Sequence, residues 1–306
     1  MSDKIKAHIL LSFVAIFYGL NYIIAKDVLN KEFITPAGFI MLRAVGGAIF
    51  FTIFHALFIR EKLERKDFIY AALCSIFGVA LNMLSFFHGL KMTSPSHASL
   101  IMVMTPIIVL VISALTIQEK LTAKKVLGIF FGLIGAVILI YSKQSTSSDE
   151  ASLVGDLFVL LNASSYGVYL VLVRRLIMKY HPITVIKWVF VFGALFVIPF
   201  GGKDLLATEW VIFPDYIWIS IAYVLICTTF LAYLFNVYAL NLVMPSTVGF
   251  YIYFQPLIAT SVALILGKDE LTIATIISAI FLFAGVYLII IKKRKPKFDK
   301  EFTISK

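Results

Sequence analysis

PSHASLIMVMTPIIVLVISALTIQEKLT, residues 95–122, is answered by PSTVGFYIYFQPLIATSVALILGKDELT, residues 245–272. The two stretches align at a constant offset of 150. Pro95-Ser96 falls on Pro245-Ser246, Thr105-Pro106 on Gln255-Pro256, Glu119 on Asp269, and Leu121-Thr122 on Leu271-Thr272. Beyond the quoted stretch, Gly135 falls on Gly285. Punctuation kept in register over that distance marks two copies of one unit. A copy with an odd number of membrane spans leaves the chain on the opposite side, so the second copy enters upside down. Inverted repeats of this kind build many secondary transporters.

The surrounding composition requires a bilayer. Of 306 residues, 61% are hydrophobic and 14% charged, and the mean hydropathy is +0.97. Soluble domains run near 45–50% apolar and about 25% charged, so no soluble core could hide this much apolar surface. A spanning helix needs about 20 mostly apolar residues. Such windows occur at 7–25, 33–59 (broken by Arg43), 68–90, 92–118, 126–142, 157–173, 180–202 (broken by Lys187), 216–267 and 271–291. The window 216–267 holds two spans joined at Asn241–Pro245. The expectation is an all-α membrane protein of ten transmembrane helices, built as two inverted five-helix repeats. The repeats occupy 7–142 and 155–291, with a polar Ser/Thr-rich linker at 143–154 and a basic cytoplasmic tail at 292–306.

The first window follows Lys4 and Lys6 like a signal peptide. No small-residue cleavage site follows it, and it has a counterpart in the second copy, so it reads as a retained span. Cys74 and Cys227 both fall inside spans and offer neither a disulfide framework nor metal spacing. With the N-terminus inside, 20 of the 27 lysines and arginines fall on inner segments, 6 on outer ones, and the last is Arg43. That bias sets both termini in the cytoplasm. The net charge of +10 is then a feature of inner loops and a tail that meet anionic lipid. Nucleic acid is excluded for want of a soluble module to present it.

Ala15-Ile16-Phe17-Tyr18-Gly19-Leu20-Asn21-Tyr22 matches Ala163-Ser164-Ser165-Tyr166-Gly167-Val168-Tyr169-Leu170 at an offset of 148. A basic residue (Lys26, Arg174) and then a proline (Pro36, Pro182) follow each, and Leu42-Arg43 follows in the first copy. This layout resembles the EamA-type family of the drug/metabolite transporter superfamily over about residues 7–291. The resemblance implies a ten-helix bundle, a central cavity between the halves, and export or exchange of small metabolites. It also implies that helices 5 and 10 are peripheral supports. The second copy departs from the pattern where Val189 stands at the position of Arg43, so the halves are unequal there.

Candidate residues follow from what a bilayer cannot hide. Pro106 and Pro256 fall mid-helix in helices 4 and 9. Each removes an N–H and clashes with the carbonyl four residues back, on Met102 or Ile252. Carbonyls released in this way survive at membrane depth only where protein or a cavity satisfies them. With Thr105 and Gln255 beside them, the prolines read as hinges at a binding site, or else as packing kinks. Arg43 sits roughly 10 Å deep at 1.5 Å per residue, where a charge costs roughly 2.5–3.5 kcal/mol. No Asp or Glu lies within any predicted span. Arg43 therefore either rests on backbone carbonyls or meets a substrate carboxylate or phosphate in an aqueous vestibule. Tyr18, Asn21 and Tyr22 share a face of helix 1, Tyr166 and Tyr169 of helix 6, and Tyr251 and Gln255 of helix 9. Asn82 and Asn236 lie in helices 3 and 8. Such side chains avoid lipid. They read as cavity lining, or as interhelical hydrogen bonds worth about 0.6 kcal/mol each.

The functional expectation is a secondary transporter, an exporter or exchanger of small metabolites such as amino acids, working by alternating access through a central cavity. His55, His88 and His97 look too peripheral to relay protons, so exchange or facilitated diffusion stands beside coupled transport. A channel-like facilitator is the alternative, without a charge ring or filter-like glycine run to support it. A membrane enzyme would need paired acids, and Asp149-Glu150 and Asp269-Glu270 read as solvated loop charges. A receptor gains nothing from the doubled build. No cofactor or metal is expected. The partners are a small-molecule substrate and membrane lipids, the chain is a monomer or homodimer, and the location is the cell inner (plasma) membrane.

Overall fold

The computed structural model describes residues 3–92, 101–143, 153–265 and 272–290, and every regular element among them is helical. In chain order these are α1 (Asp3–Asn30), α2 (Pro36–Phe58), α3 (Arg65–Met92), α4 (Thr105–Thr116), α5 (Ala123–Lys143), α6 (Leu153–Ile177), α7 (Pro182–Leu206) and α8 (Asp215–Leu242). α9 comes in two pieces, Pro245–Phe250 and Phe254–Ile265, joined by a 3₁₀ turn at Tyr251–Tyr253, and α10 is Ile273–Ile290. Five of these, α2, α3, α6, α7 and α8, are long and apolar enough to cross a membrane. Bulky apolar side chains such as Ile69, Leu115, Ile219 and Ile280 face outward, a surface suited to lipid rather than water. Phe39, Phe51, Phe87, Tyr169 and Phe190 are sealed inside.

The helices overrun the apolar windows. α3 begins at Arg65 and carries the buried carboxylate of Asp67 in its first turn. α6 takes in Asp156, Arg174 and Arg175. Both carboxylates lie one residue before the apolar windows 68–90 and 157–173, which stay free of acids. About 20 residues cross the hydrocarbon, and a 28-residue helix such as α3 has turns to spare for the headgroup layer, where charges find water or one another.

Both prolines stand just past a break. The chain turns at Val103-Met104, and α4 restarts at Thr105 with Pro106 in its first turn. α9 tightens to 3₁₀ at Tyr251–Tyr253 and restarts at Phe254, two residues before Pro256. The expected mid-helix kinks are thus helix restarts, where a missing N–H does no harm. A second paired irregularity is a widened π segment, at Ile76–Ala80 in α3 and Val224–Leu231 in α8. The two segments begin 148 positions apart.

Counterparts meet across the bundle. α2 packs along α7 and α5 along α10, while α1 packs on α8 and α9 as α6 packs on α3 and α4. The counterpart pairs run antiparallel. Thr35 before α2 donates to Asp204 near the end of α7 at 2.6 Å, and His55 near the end of α2 lies 3.4 Å from Lys187 near the start of α7. Ser278 of α10 donates to the Gly135 carbonyl of α5 at 2.6 Å. Close approach demands glycine at Gly201 of α7, where a Cβ would stand 2.2 Å from the Ala37 carbonyl oxygen of α2.

Candidate binding cavity

A cavity of about 600 Å³, counted with its open mouth, lies between the two copies. Its polar wall contains Tyr18, Asn21, Arg43, Asn82, Tyr166 and Gln255, all expected from the sequence. Asn162 and Tyr233 join them, and Met83, Phe86 and Phe87 of α3 give it an apolar side. Met102 and Ile252 complete the lining. These are the residues four positions before Pro106 and Pro256, one from each copy.

Arg43 is 5% exposed, and its position is built from several elements. Its Nε donates to Thr229 Oγ1 at 3.1 Å, and the Thr229 hydroxyl donates in turn to the Val224 carbonyl at 2.9 Å. Val224 opens the π segment of α8, whose widened turn leaves that carbonyl available. The guanidinium carbon lies 5.5 Å from the centre of the Phe87 ring, within cation–π range. Among the described residues no carboxylate pairs with Arg43, and its two terminal nitrogens have no hydrogen-bond partner. The first π segment is held in the same manner from the other copy. Ser165 donates to the Phe77 carbonyl at 2.6 Å and Tyr233 to the Gly78 carbonyl at 3.0 Å.

Of the remaining expected residues, Asn236 and Tyr251 line a smaller adjoining cavity of about 220 Å³ that shares Tyr18, Tyr166 and Gln255. Asn236 Nδ2 donates to the Tyr166 hydroxyl at 3.2 Å, and Tyr251 shares a 2.8 Å bond with His8. Thr105 and Tyr169 reach neither cavity. Thr105 is fully buried with its hydroxyl unpartnered, and Tyr169 packs over Gly78. The Tyr22 and Pro256 side chains, and His97, lie outside the described residues. Asn162, Tyr233 and Thr229 escaped the sequence reading. A lone polar side chain in an apolar window was the available signal for the first two. Thr229 had none, because its role depends on the π turn.

One end of the bundle is tied across the copies by polar groups. Glu119, 3% exposed, accepts from Ser246 and from Lys125 at 2.6 Å. Beside these ties, and within the second copy, Arg174 donates to the carbonyls of Leu240 and Val243, 2.6 Å each. Lys179 pairs with Glu64 at 2.8 Å and Asp67 at 2.6 Å, and Tyr180 donates to Asp67 at 2.6 Å. Hydrogen bonds from Lys179 and Lys66 hold the Glu64 carboxyl below its ordinary value, and those to Asp67 and Glu64 push Lys179 up.

The sequence profile described as the EamA-like transporter family matches residues 5–141 and 153–291, once per copy. An uncharacterized transporter of Archaeoglobus fulgidus is 25% identical over 94% of this chain and 100% of its own length. The uncharacterized transporter YoaV of Bacillus subtilis is 25% identical over 90% of this chain and 93% of its own. A solved crystal structure superimposes with a TM-score of 0.73 over 92% of this chain and 95% of the other at 19% identity, which shows a shared fold.

Proposed function

This chain belongs to the EamA-like transporter family, within the drug/metabolite transporter superfamily, and we propose that it is a secondary transporter for small metabolites bearing an acidic group, amino acids among them. The observation that carries this reading is Arg43. A guanidinium buried in a cavity between two repeats, with its terminal nitrogens unpaired, is an incomplete ion pair. A carboxylate or phosphate entering the cavity completes it through two parallel N–H···O bonds. The antiparallel pairing of α2 with α7 and of α5 with α10 supports inverted repeats that rock about the cavity. Paired breaks before Pro106 and Pro256 support hinges beside it. The basic end, tied by Glu119, Lys179 and Arg174, is the cytoplasmic gate of a plasma-membrane exporter or exchanger with both termini inside.

Counterflow into proteoliposomes tests this reading. Purified protein is loaded with a mixture of amino acids, other carboxylic acids and phosphate esters, and labelled species are scored for exchange. The expected result is saturable exchange of an acidic-group class by the parent protein and none by Arg43→Ala, with both inserted equally. Exchange by Arg43→Ala at the parent rate would overturn the assignment of the anion site. Single-channel current would replace the carrier by a channel.

A further inference from the structure

Lys187 is the charge that interrupts the apolar window 180–202. It stands in the second turn of α7, roughly 7–8 Å from the helix end at 1.5 Å per residue. A cation at that depth calls for a partner, and its neighbours at this end of the bundle have theirs. Lys179 pairs with Glu64 and Asp67, and Glu61 Oε2 accepts from the His181 backbone N–H at 2.8 Å. Among the described residues no carboxylate pairs with Lys187. Its Nζ lies 3.4 Å from His55 Nδ1 of α2 and 5.0 Å from the centre of the Trp188 ring. His55 Nε2 lies 3.0 Å from the Glu61 backbone carbonyl, which can only accept. Nε2 therefore carries the hydrogen, and Nδ1 meets the ammonium as a neutral acceptor. An uncharged ring engages one of the three ammonium donors, and the charge itself is left unanswered.

The surface around Lys187 is made for lipid. Lys187 and Trp188 are half-buried. Leu57 and Phe58, in the last turn of α2, are 71% and 67% exposed. The loop that follows them carries Arg60 and Lys62, both exposed. We propose that Lys187, supported by Arg60 and Lys62, binds the headgroup phosphate of an anionic phospholipid where α2 and α7 meet, a site separate from the cavity between the copies. Basic pockets between spanning helices on the cytoplasmic side take such headgroups. An ammonium binds phosphate as a point charge, with no need of a planar fork. A zwitterionic headgroup brings its own cation and gains less. A soluble phosphate must leave water to reach Lys187, whereas a lipid carries its phosphate there with acyl chains that fit the exposed apolar side chains. Because α2 and α7 belong to different copies, the bound lipid ties the copies together where His55 and Lys187 alone make a long contact.

Trp188 reports on the site directly. The chain has three tryptophans, and Trp210→Phe with Trp218→Phe leaves Trp188 alone. The full chain carrying these changes is reconstituted in vesicles that mix plain lipid with brominated phosphatidylglycerol or brominated phosphatidylcholine, and quenching gives the relative affinity of each lipid for the site. Phosphatidylglycerol is expected to be favoured about five-fold, the worth of one basic residue against an anionic lipid. Lys187→Arg keeps that preference, as does Lys203→Gln near the opposite end of α7, and Lys187→Gln loses it. Equal quenching by the two lipids overturns the proposal, and so does a preference that survives Lys187→Gln. Displacement of the lipid by millimolar glycerol phosphate overturns it in favour of a soluble anion. Native mass spectrometry of the parent chain and of Lys187→Gln repeats the comparison with every tryptophan in place: the variant is expected to retain one phosphatidylglycerol fewer, and equal retention overturns the site. None of these outcomes bears on the transport reading, which makes no use of Lys187.

Discussion

A buried guanidinium is expensive to keep and more expensive to strand, so the groups that hold Arg43 matter. Thr229 fixes its Nε and leaves the fork toward the cavity. Replacing Arg43 by Lys keeps a charge and loses both the tie and the planar fork. Arg43→Lys is therefore expected to recover little of the exchange lost in Arg43→Ala. Truncating one partner of a buried charged pair costs about 2–5 kcal/mol, equivalent to a fall of roughly 30-fold or more in initial counterflow rate. Thr229→Val removes the tie and leaves the charge. It is expected to raise the half-saturation concentration while surface expression holds, and an unchanged value would show that Thr229 does not orient the fork. Arg43 was legible in the sequence because one charge interrupts an apolar window. Thr229 was not, since nothing in its residue type says that a hydroxyl bonded to the preceding turn at Val224 also accepts from Arg43 across the copies.

Helices here are divided by two devices, and the sequence reveals only one of them. Prolines mark the breaks at Val103-Met104 and Tyr251–Tyr253 because a missing N–H is a property of the residue. The π segments of α3 and α8 have no such signature. They persist because hydroxyls take the carbonyls they release: Ser165 and Tyr233 from the other copy in α3, Thr228 and Thr229 locally in α8. That satisfaction is tertiary, and no local pattern encodes it. Close packing of α2 on α7 gives a paired prediction. Gly201→Ala sets a methyl against backbone and is expected to destabilise the purified protein by about 1–3 kcal/mol. Gly202→Ala next to it meets only Ile198 at 3.7 Å and is expected to be neutral or slightly stabilising. Thermal unfolding in one detergent compares the two, and equal shifts would mean that the α2–α7 contact is looser than described. Restoring the N–H with Pro106→Ala is expected to slow exchange more than it weakens binding, if the break works as a hinge.

At the scale of the whole molecule the polar tie between the copies has a definite pH window. Glu64 is held below its ordinary value of 4.5, so its part of the tie is present above pH 4.5 and fades as pH falls further. Lys179 is raised above 10.5, so its part is whole below pH 10.5 and is lost only on further rise. Across roughly pH 5.5–8.5 the tie is constant. Lys179→Ala should then lower the unfolding temperature equally over that range, with a smaller effect in high salt. A difference that grew with pH inside the window would point to another titrating group. The doubled build, the breaks and most of the cavity wall were legible from residue types at fixed offsets. What the sequence withheld was which copies' residues touch, because antiparallel docking pairs positions that no single offset relates. That docking has one more consequence. Two identical halves joined about a two-fold axis must state every feature twice, so a lone cation near the axis would arrive as a repelling pair. Writing both halves in one chain removes that constraint: Arg43 can stand opposite a half that carries Val189 in its place, and the cavity acquires a direction that symmetry alone would deny it.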